Sequence, residues 1–537
     1  MFDCYTCNTC GSHYDPAPCT HDILIPDSLY ALCNTNDPPP SSEIPHLMNL
    51  QQTVHAAQEE LEFEIRRIML KLHEKRRALQ WLTNDLKSVL SPIRRLPAEI
   101  LMEIFLHANP LRVTDTTSDP WILSHVCSTW RTVATVHCPE LWSDITITPS
   151  SFRRKDSFSL LQTALHRSGL RDLFIQFRDG GKQKSKRKAV ATVLFSLITL
   201  ESNRWKTAQL SLSSERFGAL STIRGRLSRL SQVNLTYIGD QTPPLRIDAF
   251  EITPRLESIS IEGFQDDHID TIIPLSSPKL RQFRDDRELG DNALNARMLE
   301  TVRHSPALQS FHVYHRNRFD PRSTLPVTPR IENASIHTLQ ASEGALLRSL
   351  RLPALKTLWL GTDENCMLPC PDDVVASLQV LISVSQCSLT SLILTQVSIT
   401  NTPDFIHLLR QMPRLEELEM FFIFWRDEYD NTMQRVISEM IEPSPQPQAL
   451  SARHALLPVL TEFTIEVFDT TDSQGVRFIN DVFVDMMSTR CRTYDAPKLK
   501  YVRAEIRSPN PLPLSAAATN KLQELFHDGL EVTILTM

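Results

Sequence analysis

The sequence is poor in glycine, with 13 glycines in 537 residues. It contains no GxGxxG, GxxxxGK[ST] or GxSxG pattern, so it lacks the loops that hold phosphate groups and the sharp turn that presents a catalytic serine. It also offers no nucleophile beside an identifiable base, and its 17 histidines show no HExxH motif. We therefore expect a protein that is not an enzyme and that has no cofactor.

Lysine and arginine are absent from the first 46 positions, which carry six acidic residues against a net charge of −7 for the whole chain. The remainder is close to neutral and provides no broad basic surface for a phosphate backbone, so we do not expect nucleic-acid binding. The basic segment 181–188, GKQKSKRK, fits a solvated loop better than a nuclear localisation signal or a phosphate-binding patch.

Long apolar runs are absent too, and the opening MFDCYTCNTC has neither the basic start nor the apolar core of a secretion signal. Eleven cysteines in 537 residues fit a reducing compartment better than a disulfide framework. We expect an intracellular protein, cytoplasmic or nuclear or both, that does not enter a membrane.

Residues 1–46 hold seven prolines and five cysteines without periodicity, which indicates a disordered, acidic tail. Cys4, Cys7, Cys10 and Cys19 are residue types that Zn²⁺ accepts, but the usual second pair of ligands is missing. We expect no bound metal. If these cysteines did bind zinc, the protein would be a candidate zinc-dependent nucleic-acid binder, which is an alternative function.

Residues 47–90 carry apolar side chains at helical spacing. The series is Leu47, Leu50, Val54, Ala57, Leu61, Ile65, Ile68, Leu72, Leu79, Leu82, Leu86 and Val89. It predicts one long helix, which ends at Ser91-Pro92. Because Gln51, Gln58 and Lys75 interrupt the series, two alternatives stay open: self-association as a coiled coil, or a strut packed on the rest of the chain.

From about residue 170 the tripeptide Pro-x-Leu recurs, followed each time by alternating apolar residues. It begins at Pro254, Pro278, Pro306, Pro353, Pro413, Pro458 and Pro497, and related segments contain Leu170, Leu230 and Leu389. The spacing of 24 to 28 residues between Leu230, Leu256, Leu280 and Leu308 lies within the range of leucine-rich repeats. The pattern predicts about ten parallel strands over residues 150–537. No Asn or Cys follows the strands at the usual ladder position, so the repeats are irregular.

Residues 91–149 contain two short amphipathic helices. In LPAEILMEIF, Pro97 suits a first helical turn, and Ile100, Leu101, Ile104 and Phe105 form an apolar stripe. VCSTW and PELW follow in order. A segment of some fifty residues cannot bury this much apolar surface internally, so we expect an interface.

These elements resemble the F-box, particularly the F-box-like proteins of fungi, in which a long helix precedes the box and leucine-rich repeats follow. The resemblance implies a substrate-recruiting subunit of a ubiquitin ligase: the box binds a Skp-type adaptor and through it a cullin, and the repeats bind the target protein. The residues that match the adaptor-binding pattern are Leu96, Pro97, Ile100, Leu101, Ile104, Phe105, Val126, Cys127 and Trp130. The link HANPLRVTDTTSDPW is longer and more polar than in many F-boxes.

The expected fold is an α+β multi-domain chain: a three-helix F-box followed by an irregular α/β leucine-rich-repeat solenoid with a concave parallel sheet. The repeat leucines fill the core, so target binding is expected at outward positions such as Trp359 and Glu417. The alternative function is a non-catalytic leucine-rich-repeat scaffold with no role in a ubiquitin ligase.

Overall fold

The computed structural model divides the chain into two compact units, residues 1–97 and 98–537, which are described separately below. The residues that the structure describes are 5–6, 13–14, 23–35, 37–107, 115–180, 185–238, 246–262, 272–275, 277–286, 292–313, 330–342, 344–361, 374–442, 454–470, 473, 475–491, 498–507 and 512–536.

The first unit consists mainly of one helix. Two short antiparallel strands, β1 (Tyr5–Thr6) and β2 (His13–Tyr14), precede helix α1 (Asp27–Cys33) and helix α2 (Ile44–Val89). Helix α1 lies within the tail that we expected to be disordered, where Pro26 precedes the helix and Asp27 occupies its first turn. Helix α2 is continuous over 46 residues and is followed by a 3-10 turn, Pro92–Arg95.

The second unit opens with a group of short helices, which we call the helical segment. Its members are α3 (Ala98–Leu106), α4 (Asp119–Val126), α5 (Ser128–Thr132), a π-helical turn (Val133–His137) and a 3-10 turn (Pro139–Trp142).

Strands and helices then alternate along the described chain. The strands are β3 (Asp144–Ile147), β4 (Leu173–Arg178), β5 (Trp205–Leu212), β6 (Gln232–Tyr237), β7 (Ser258–Glu262), β8 (Gln282–Asp285), β9 (Ser310–Val313), β10 (Ile331–Glu332), β11 (Thr338–Ala341), β12 (Leu350–Arg351), β13 (Thr357–Gly361), β14 (Ser391–Thr395), β15 (Glu417–Phe424), β16 (Glu462–Asp469), β17 (Tyr501–Ile506) and β18 (Glu531–Thr536). The helices are α6 (Ser157–Arg167), α7 (Ser185–Leu200), α8 (Ser214–Ala219), α9 (Asn292–His304), α10 (Gly344–Arg348), α11 (Val374–Ser385), α12 (Thr402–Arg410), α13 (Asp427–Ile441), α14 (Asp481–Cys491) and α15 (Ala516–His527).

Fourteen of these strands form one parallel sheet, and within the described residues their order follows the chain from β3 to β18, with β10 and β12 forming a separate parallel pair. Along β4, β6, β15 and β17, buried residues alternate with more exposed ones, whereas β3 and β11 each have three consecutive buried residues. The buried residues join those of the helices in one hydrophobic core. The prediction of a mixed α/β chain with a long parallel sheet is therefore confirmed.

The number of strands exceeds the ten that Pro-x-Leu and its relatives predict. All ten predicted segments contain a strand, and the C-terminal segment supplies β18. The strands that the pattern missed are β3, β5 and β11. Their apolar-x-x-apolar-x-apolar template has other residues in the places of leucine: in β5 it is filled by Trp205, Ala208 and Leu210, all buried. Because β3 pairs with β4, the sheet begins before residue 150, inside the range assigned to the F-box.

Candidate protein-binding surfaces

Helix α3 presents two faces of different character. Ile100 and Ile104 are 47% and 43% exposed, whereas Leu101 and Phe105 are 2% and 0% exposed. Residues four apart share a helix face, so each pair lies on its own side of the helix. Ile100 and Ile104 are therefore available to a partner.

Phe105 belongs to the interior of the helical segment. Its ring meets that of the half-buried Trp130 edge to face, with 5.0 Å between ring centroids. Of the nine residues that match the adaptor-binding pattern, Leu101 and Phe105 therefore lie inside the helical segment, behind the exposed face of α3.

Helix α4 adds a second exposed pair, and the residue after it, Cys127, joins α4 to α5. Ile122 and Val126 lie four residues apart on α4 and are 50% and 55% exposed. Cys127, also exposed, has extended backbone angles, and its Sγ accepts a hydrogen bond from the backbone N–H of Trp130 at 3.5 Å. Cys127 therefore ends α4 and caps α5, a structural role that its position in the motif did not indicate.

Leu96 and Pro97 are the last residues of the first unit. Leu96 is half-buried and follows the 3-10 turn Pro92–Arg95, and Pro97 is exposed. These two predicted contact residues thus belong to the end of the first unit and not to the helical segment.

An aromatic cluster ties the helical segment to the sheet. Trp121 and Trp142 meet edge to face at 5.0 Å, and the guanidinium of Arg167 lies 5.1 and 4.5 Å from their ring centroids. Trp142 also donates a hydrogen bond from Nε1 to the carbonyl of Ala134 at 2.7 Å. Arg167 is the last residue of α6, and burial lowers the pKa of its guanidinium. These contacts therefore pack α4, which carries the exposed Ile122, against α6 and the turn that precedes β3.

The second surface is the face of the sheet that points away from the core. Trp359 and Glu417 lie on it, because Trp359 is between the buried Leu358 and Leu360 and Glu417 directly precedes the buried Leu418. Both are half-buried instead of fully exposed, since neighbouring strands flank them. Trp359 is opposite Ile393, and Ile393 is opposite Glu419 on the next strand.

Apolar side chains form a patch on this face. Ile393 pairs with Trp359, and Phe421 pairs with Thr395, two residues along β14 from Ile393. Such diagonal neighbours are within reach of one another. We call Trp359, Ile393, Phe421 and Ile423 the apolar strip; all four are partly exposed.

Carboxylates border the apolar strip. Glu417 is directly opposite Glu462, and Phe421 is opposite Glu466, which places Glu419 between them. We call Glu417, Glu419, Glu462, Glu466 and Glu505 the acidic group. Burial, followed by repulsion from Glu417 and then from Glu466 and Glu462, raises the pKa of Glu419 to about 7.

Two arginines offset part of this charge. Arg503 contacts Glu466 at 3.1 Å and Glu505 at 2.7 Å, and Arg507 contacts Glu505 at 4.0 Å. Five carboxylates against two guanidinium groups leave an excess of negative charge next to the apolar strip. This surface is suited to a protein segment that carries both apolar and basic side chains, and it repels phosphate.

The other features singled out in the sequence are the possible metal ligands, the basic segment and the apolar runs. Within the described ranges, no three His, Cys, Asp or Glu side chains are grouped as metal ligands would be. Cys4, Cys7, Cys10 and Cys19 lie outside the described residues. Of the basic segment 181–188, residues 185–188 form the first turn of α7 instead of a loop. None of the described helices combines the length and the apolar character needed to cross a membrane.

The members of the acidic group beyond Glu417 were not identified from the sequence, although a signal was present. Glu419 and Glu466 occupy outward positions of the Pro413 and Pro458 repeats, and the inward leucines fix that alternation. The sequence alone does not show that β15 and β16, which start 45 residues apart, are neighbours in the sheet, nor which of their residues face one another.

No protein-family model matches the sequence, and no curated protein matches it significantly.

Proposed function

We propose that this protein is the substrate-recruiting F-box subunit of a Skp/cullin-type ubiquitin ligase. The helical segment binds the Skp-type adaptor, and the outer face of the sheet binds the target protein. In this proposal the sheet is the concave surface of an irregular leucine-rich-repeat solenoid, and the protein acts in the cytoplasm or the nucleus without catalytic activity of its own.

One observation carries the proposal: α3 and α4 each expose a pair of aliphatic side chains above a packed aromatic interior. Ile100 and Ile104 on α3, and Ile122 and Val126 on α4, are all at least 43% exposed. Exposed apolar residues that lie above well-packed side chains are typical of protein interfaces. The order of LPAEILMEIF, VCSTW and PELW supports an F-box adaptor as the partner.

The test measures binding of the full chain to a purified Skp-type adaptor. Replacing Ile100 and Ile104 with Asp places two charges in the contact and should weaken binding by more than about 100-fold. Val193→Asp is the matched control, because Val193 is an aliphatic residue on α7 with 46% exposure. It should leave adaptor binding unchanged.

The scaffold alternative gives a different result. A scaffold would capture target proteins through the sheet but would bind neither adaptor nor cullin, even as the unaltered chain. If the unaltered chain fails to bind the adaptor, or if the double variant binds it normally, the F-box proposal is wrong and the scaffold takes its place.

A further inference from the structure

Helix α2 is an amphipathic helix whose apolar side chains are exposed. No residue of α2, all of which the structure describes, is buried. Its 46 residues extend over about 69 Å at 1.5 Å per residue. Leu61, Ile65, Leu72, Leu79 and Leu82 are each 52% to 65% exposed. So much apolar surface on one helix is normally covered by another helix.

The apolar series of α2 changes register near its middle. Leu47 to Leu61 follow alternating steps of three and four, and Ile65 to Val89 do the same after one extra step of four. Ile68 is close to the point of change and is midway between Leu47 and Val89. Lys75 takes the one core position of the second half that is not apolar.

The charges of α2 are divided into two blocks around the same point. Residues 59–64 contain Glu59, Glu60, Glu62 and Glu64 and no basic residue. Residues 66–77 contain Arg66, Arg67, Lys71, Lys75, Arg76 and Arg77 and a single acidic residue, Glu74. Some of this charge is paired within the helix, since Arg66 contacts Glu62 at 3.3 Å and Arg67 contacts Glu64 at 3.2 Å.

We infer that α2 pairs with α2 of a second copy of this chain as an antiparallel coiled coil centred on Ile68. Antiparallel pairing about Ile68 brings the two halves of the apolar series together. Apolar residues face one another in most pairs between the copies: Leu47 with Val89, Leu50 with Leu86, Val54 with Leu82, Ala57 with Leu79, and Ile68 with its own copy. Three apolar residues face polar ones: Leu61 faces Lys75, Ile65 faces Lys71, and Leu72 faces Glu64.

The charge blocks favour this direction over a parallel one. In the antiparallel pair, residues 59–64 lie opposite residues 72–77, so that four glutamates face three basic residues and Glu74. Lys75 then lies beside Leu61 with Glu60 and Glu62 near its ammonium group. In a parallel pair, Lys75 would face Lys75 within the core and the glutamates would face one another, and both contacts repel.

The pairing goes beyond the proposed function, because it determines how many target surfaces one assembly carries. The chain continues from Val89 at opposite ends of the pair, about 63 Å apart by helical rise. The dimer therefore presents two separate sheet-bearing units to a target or to two targets.

The test is charge reversal in the full chain, followed by sedimentation equilibrium at low salt. Glu59→Lys with Glu60→Lys places basic residues opposite Arg76 and Arg77, and Arg76→Glu with Arg77→Glu places acidic residues opposite Glu59 and Glu60. Each double variant should weaken dimerisation by roughly tenfold or more, because the symmetry of the pair places like charges opposite one another at two sites, one on each side of Ile68. The chain with all four substitutions should dimerise like the unaltered chain.

The same experiment separates the alternatives. Lys279→Glu with Arg281→Glu is the matched control, because both residues are exposed on the second unit and outside the seam; it should not alter the dimer. A monomeric unaltered chain at tens of micromolar would overturn the inference. So would double variants that dimerise as well as the unaltered chain, since a parallel pair is insensitive to either reversal alone.

Discussion

The indole Nε1 of Trp359 on β13 donates a hydrogen bond to the hydroxyl of Thr395 on β14, at 2.9 Å. The bond holds the ring across the sheet surface, where it covers part of the neighbouring strand and is itself half-buried. Trp359 is thus a fixed part of the apolar strip, and a partner that binds there does not need to order it first.

Removing this ring should weaken target capture. We expect Trp359→Ala to lower the recovery of target proteins by about tenfold or more, with adaptor binding unchanged, because a pre-ordered tryptophan is a typical binding hot spot. Quantitative affinity purification from proteasome-inhibited cells measures this. Phe174→Ala is the control: Phe174 is an aromatic residue, 41% exposed, at an outward position of β4. Equal losses for both variants would show that the apolar strip has no special role.

Glu419 makes stability depend on pH. Its carboxyl keeps its proton to about pH 7 in the folded chain, whereas its ordinary pKa is 4.5. Protonated Glu419 therefore contributes to the free energy of unfolding in full below pH 4.5, and this contribution is lost as the pH rises to about 7. Glu419→Gln should remove about 1 kcal/mol of this dependence, a value reduced for solvent screening. Thermal unfolding from pH 4.5 to 8 measures it; parallel curves for variant and unaltered chain would contradict the prediction.

The two faces of α3 predict opposite effects of neighbouring substitutions. Phe105→Ala should destabilise the second unit by about 3–5 kcal/mol, because it leaves a cavity beside Trp130. Ile104→Ala should change the free energy of unfolding by less than about 1 kcal/mol, because Ile104 is 43% exposed. Denaturant titration measures both. Similar values for the two variants would show that the burial of α3 is assigned to the wrong face.

Gly361 at the end of β13 tests the packing between strands. Its φ of 143° suits glycine alone, and a Cβ atom there would overlap the carbonyl oxygen of Thr395. We expect Gly361→Ala to cost about 2 kcal/mol or more. Gly169→Ala is the control, with φ of 56° and no neighbouring atom within 4 Å, and should cost about 1 kcal/mol. Thermal unfolding compares them, and equal losses would show that the contact with Thr395 is not limiting.

The strands could be predicted wherever leucine marks the repeat. Leu355 and Leu415 fix the inward residues of β13 and β15, and with them the outward positions of Trp359 and Glu417. Strand β5 was missed because Trp205 and Ala208 perform the same packing without leucine. Any apolar side chain of suitable volume can fill a core position, whereas the sequence pattern identified repeats by leucine.

The candidate surfaces were harder to predict, because they depend on contacts distant in sequence. The apolar stripe of α3 contains Ile100 and Leu101 alike, and only the packing of Trp130 from α5 decides which of its sides is inside. The acidic group likewise arises when β15 and β16 come into register across a 45-residue separation. Spacing along the chain does not contain that information.

The order of the strands determines how the sheet responds to truncation or to the loss of one repeat. Each strand of the 14-stranded sheet is bonded to the members of that sheet that precede and follow it in the chain, so the described sheet has no pairing between its first and last repeats. In such a linear topology, loss of one repeat opens its neighbours while distant repeats keep their partners. A C-terminal truncation therefore shortens the sheet and exposes a new edge strand, and the helical segment, attached beside β3, is the last part to be affected.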